Sequence, residues 1–82
     1  MNKGTAANPS KTLVDLAKYL LKSIAREPER AKVDHVWTEN MDLIVLRSTG
    51  KRRLHPRDVD AVAQVVQAVG KHLGREAMVD HK

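Results

Sequence analysis

The residues best equipped for chemistry lie between Arg47 and Arg57. Arg47, Lys51, Arg52, Arg53 and Arg57 stand there with no acid among them. The whole chain has 15 Lys and Arg against 10 Asp and Glu, a net of +5. Outside this segment ten basic residues therefore meet ten acids and cancel, and the segment alone supplies the net charge. Evenly spread basicity serves solubility, whereas a local excess is what a polyanion-binding surface looks like. The competing reading is a solvated basic turn with no partner. His55 sits inside the run, where it either touches a phosphate or caps a helix.

Other chemistry finds less support. Trp37 is the single Trp of the chain; its flat ring suits either stacking on a base or packing over a small sheet. The four histidines, His35, His55, His72 and His81, show no ligand spacing with a partner acid, so no metal site is expected. Absence of cysteine removes disulfides and thiolate sites. Asp58 and Asp60, two residues apart, do not face each other on a helix, and read better as acids favouring its N-terminus. Neither a Ser–His–Asp order nor a glycine-rich phosphate loop is present. At 82 residues, one domain buries only about 60% of its unfolded surface. No deep catalytic cleft, cofactor or small-molecule substrate is expected, and the chain reads as a non-enzyme.

The elements that must carry these residues follow from periodicity. Residues 1–9 read as a flexible N-terminal tail and 10–82 as one domain. Thr12-Leu13-Val14-Asp15 fits a capping box. Leu13, Leu16, Ala17, Leu20, Leu21 and Ile24 then recur at helical spacing, opposite Lys11, Asp15, Lys18, Lys22 and Arg26. Pro28 closes that helix. Residues 31–38 favour a strand with Val33, His35 and Trp37 on one face and Val36 on the other. Met41 to Arg47 resumes as a strand whose apolar run, Leu43 to Leu46, predicts burial on both faces at the centre of a sheet. Pro56 is well placed to open a helix. Val59, Val62, Ala63, Val66, Val69 and Leu73 mark its apolar stripe, which ends near Gly74. Gly70 inside it costs roughly 1 kcal/mol relative to Ala for no reason visible in the sequence. Glu76 to Asp80 reads as a last edge strand. A long helix between two strands allows the last to run parallel to an earlier one. The class is α+β: α-β-β, a short helix or turn, then α-β, with helices on one face of a three-stranded sheet.

That order resembles the type II KH fold, and within it the small stand-alone KH proteins of bacteria, the KhpA type. The run from Leu16-Ala17-Lys18-Tyr19 through Glu27-Pro28-Glu29 to Val36 follows the family's opening helix, turn and first strand without a gap. Leu43 to Arg47 matches its next strand, and Val59 to Gly74 with the final strand matches its last helix and strand. The resemblance covers roughly residues 13–80. KH domains grip phosphates with a Gly-x-x-Gly loop whose backbone approaches the nucleic acid closely. Here Gly50-Lys51-Arg52-Arg53 keeps the first Gly and puts Arg in place of the second. An alternative register sets Leu54-His55-Pro56-Arg57 in the loop, with no Gly.

The resemblance implies single-stranded RNA as partner and a role as RNA chaperone or post-transcriptional regulator. It further implies a homodimer or pairing with a larger KH-containing protein. Arg47, Gly50, Lys51, Arg52, Arg53, His55 and Arg57 would form the RNA-binding site, with guanidinium charge in place of the backbone clamp. The alternative is a degenerate KH protein-protein interaction module without RNA binding. The longest apolar run, Leu43 to Leu46, is far short of a membrane span. Met1 to Pro9 lacks the apolar core of a secretion signal, and a cytoplasmic location is expected.

Overall fold

A computed structural model describes residues 9–49 and 54–82. They form helix α1 (Pro9–Ile24), a 3₁₀ turn (Pro28–Arg30), strands β1 (Ala31–Trp37) and β2 (Met41–Ser48), helix α2 (Pro56–His72) and strand β3 (Glu76–His81). The sheet order is β1-β2-β3, with β1 antiparallel and β3 parallel to the central β2. The chain is thus a small α+β fold with a mixed three-stranded sheet.

Each element is set by its own apolar stripe. Leu13, Ala17 and Leu21, four residues apart, are the buried side of α1, and Val59, Val62, Val66 and Gly70 are that of α2. Ile44 and Leu46 of β2 rise between the two helices into the same core, with Ala31 and Ala77 from the flanking strands. Both helices therefore pack on one face of the sheet. The other face carries Val36, Leu43 and Met78, aligned in one row across the three strands.

Three local expectations need correction. Helix α1 starts at Pro9, a residue suited to a first turn because it has no N–H to lose. Thr12 therefore lies inside the helix instead of capping it, and Asp15 pairs with Lys11 at 2.7 Å. Strand β2 is not buried on both faces: Asp42, Ile44 and Leu46 are buried, while Leu43 and Val45 remain half-buried on the outer side. Trp37 does not pack over the sheet; it is 64% exposed.

Gly70 acquires a physical reason. A Cβ built there would lie 3.1 Å from Ala77 Cβ and 3.3 Å from the Arg75 carbonyl oxygen. The glycine lets α2 approach β3 closely. The helix then ends in a Schellman motif: Arg75 N–H donates to Gly70 O at 2.8 Å and Gly74 N–H to Lys71 O at 3.1 Å. Gly74, at φ +77°, adopts the left-handed conformation this motif requires. No helix among the described residues is long and apolar enough to cross a membrane.

Candidate nucleic-acid interface

Two pockets lie at opposite ends of α1. At one end, the C-terminal turn of α1, the end of β2 and the start of α2 meet around a cleft of about 610 Å³. Arg26, Ser48, His55 and Arg57 are among its lining residues, over apolar contacts from Ile24 and Leu54. His55 is the N-cap of α2: its Nδ1 accepts a hydrogen bond from the Arg57 backbone N–H at 3.1 Å. Pro56 follows as the first helical residue, and Asp58 contributes a negative charge to the first turn.

The sequence-predicted site is only partly gathered there. His55 and Arg57 line the cleft, joined by Arg26, which the sequence placed on a solvated helix face. Arg47 lies on the outer side of the sheet by strand parity. Its Nη1 donates to Asp34 Oδ2 at 2.8 Å across the β1–β2 pair. That ion pair is exposed, and such pairs contribute at most about 1 kcal/mol. Gly50, Lys51, Arg52 and Arg53 lie outside the described residues, as does most of the stretch in which a short helix before α2 was considered. Leu54 and His55, which are described, are not helical.

The opposite end holds a polar cluster that sequence reasoning missed. Asp42 is fully buried. Its Oδ1 accepts from His35 Nε2 at 2.6 Å and its Oδ2 from Arg75 Nε at 2.7 Å. A carboxylate only accepts, so Nε2 of His35 carries the proton. Burial pushes the Asp42 carboxyl up, but hydrogen bonds from Arg75, His35 and Ser10 and the charge of Arg75 outweigh it and hold the group below its ordinary value. The same Arg75 donates through Nη2 to the carbonyls of Thr38 (2.9 Å) and Met41 (3.0 Å), and through Nη1 to that of Glu39. One guanidinium thus ties the start of β3 to the β1–β2 turn. The sequence held one clue, since Asp42 shares strand parity with Ile44 and Leu46 and so had to point into the core. Among the described residues, no three His, Asp or Glu side chains gather as metal ligands would.

Comparison of the chain with protein-family models, with curated proteins and with solved structures returns no match.

Proposed function

We propose that this chain is a non-enzymatic, KH-like, single-stranded RNA-binding protein of the RNA-chaperone or post-transcriptional regulator type, working in the cytoplasm. The observation that carries the reading is the location of its charge. The segment from Arg47 to Arg57 supplies the whole net charge of +5, and its described C-terminal part borders the cleft lined by Arg26, His55 and Arg57. Lys51, Arg52, Arg53 and Arg57 contact phosphates, and Arg26 extends the cationic rim. His55 acts mainly through the helix start that it caps. Arg47, already paired with Asp34, is an outer contact, and Gly50 belongs to the same RNA-binding segment. Phosphate contacts position a strand without reading it, so base preference through this end is weak.

Single substitutions test the placement of the strand. With labelled single-stranded RNA, Arg57→Ala and Arg26→Ala weaken binding severalfold and uniformly across sequences. Lys22→Ala, an exposed cation of α1 away from the cleft, leaves it unchanged. Equal effects of all three would show that net charge alone matters and that the cleft does not hold the strand.

A second reading has an observation of its own. Val36 (62% exposed) and Met78 (49% exposed) flank Leu43 on the open sheet face, an apolar row of the kind that protein contacts use. On that reading the chain is a protein-interaction module, forming a homodimer or pairing with a larger KH-containing partner. Sedimentation of the RNA-free protein over a range of concentrations addresses the homodimer. A concentration-dependent dimer lost in Met78→Asp supports it, and a monomer throughout removes it.

A further inference from the structure

We propose that the pocket at the N-terminal end of α1 is a nucleobase-stacking site, with the Trp37 indole as its platform. The inference rests on the RNA-binding reading above and adds to it a second, chemically different contact. This pocket measures about 880 Å³ and lies between the first turns of α1 and the β1–β2 turn, with Lys11, Lys18, His35, Trp37, Glu39 and Arg75 in its wall. It is separated from the basic cleft by the length of α1, sixteen residues or about 24 Å.

Trp37 is placed for stacking. The core of this protein contains no aromatic side chain, and its single Trp stands 64% exposed at the edge of the pocket. The indole is not loose. The His35 ring stacks on it, centroids 5.1 Å apart and planes at 20°. His35 is in turn held by Asp42, and Asp42 by Arg75. A buried carboxylate thus fixes an imidazole, which backs one face of an indole. Such a backed ring loses little further freedom when a planar ligand covers it.

Charge separates this pocket from the basic cleft. Arg75 is matched by Asp42 at 2.7 Å and Lys11 by Asp15 at 2.7 Å, and the remaining charged lining residues are one cation, Lys18, and one anion, Glu39. The wall is close to electrically balanced, so its attraction for a phosphate is small and the aromatic surface dominates. One indole backed by one imidazole is a platform, not the multi-sided cage that a quaternary ammonium needs. A base has a π-face whatever its sequence, and stacking on an aromatic side chain is sequence-tolerant. The ligand is therefore a nucleobase, supplied either by a strand running from the basic cleft or by a free nucleotide.

The single Trp makes the site directly observable. Full-length protein is titrated with adenosine monophosphate and, separately, with oligoadenylate, while Trp emission is followed. Saturable quenching that persists in high salt is expected. Quenching by both ligands with similar midpoints identifies a free-nucleotide site, whereas a much lower midpoint for oligoadenylate identifies a strand base. In polarisation assays Trp37→Ala weakens oligoadenylate binding about 5- to 150-fold with an unchanged salt slope, and Trp37→Phe restores most of it. Far-UV circular dichroism confirms that both variants fold, as expected for an exposed position. Emission unmoved at saturating mononucleotide and oligoadenylate overturns the proposal and leaves the basic cleft untouched, as does equal oligoadenylate affinity for Trp37→Ala and wild type when the mononucleotide does not quench. Quenching by mononucleotide in a chain whose RNA binding ignores the basic segment upholds this site and removes the other.

Discussion

Asp42 draws three donors onto one buried carboxylate, and Arg75 directs three of its other four N–H groups at the carbonyls of a neighbouring turn. Removing either member takes the opposite charge from the other, leaving a fully buried Asp42 or a largely covered Arg75 with neutral partners only. Breaking a buried pair in this way costs about 3–5 kcal/mol, a large share of the roughly 5–15 kcal/mol that holds a small domain together. Asp42→Ala and Arg75→Ala should each lower the urea midpoint by a corresponding amount with little change in m. The carboxyl of Asp42 titrates lower in the folded chain than in the unfolded one. The stability it contributes is therefore complete above its ordinary value near 3.8 and disappears as the pH falls through the lower folded value. Asp42→Asn should remove this acid-side dependence from a stability-against-pH profile, while wild type keeps it.

Among the elements, α2 approaches β3 closely at Gly70. Gly70→Ala inserts a Cβ 3.1 Å from Ala77 Cβ, but also gains about 1 kcal/mol of helix propensity; the two offset, and stability should stay within about 1 kcal/mol of wild type. Gly70→Val adds branches that must enter β3, and a loss of about 1–3 kcal/mol is expected from overpacking. Thermal melts of the pair measure the gap between helix and strand. The elements themselves are legible in the sequence. Leu13, Ala17 and Leu21 announce α1, Val59, Val62 and Val66 announce α2, and the apolar run at Leu43 points to the central position of β2, although only one of its faces is fully buried. Less legible is anything decided by a partner distant in sequence. Gly70 has no meaning until Ala77 lies against it. Thr12 looks like a cap until Pro9 is seen to open the helix. The exposure of Trp37 depends on where α1 stops covering the sheet, which no local pattern records.

The whole molecule has two unlike ends: a basic cleft at the start of α2, and a charge-balanced aromatic pocket at the start of α1. The charge of the segment that borders the first could be counted in the sequence. The second could not be read there, because His35, Asp42 and Arg75 meet only through the sheet. The two ends predict different responses to salt, since phosphate neutralisation releases counterions and stacking does not. The central measurement is the affinity for single-stranded RNA across a range of salt concentrations. Four cations on phosphates give a slope of about −3 in log K against log salt, from about −0.7 per phosphate. Changing Lys51, Arg52 and Arg53 to Ala should reduce that slope by about 2 and weaken binding most at low salt. No binding at low salt, or a slope and affinity unchanged in the triple variant, would contradict the assignment of this segment to RNA.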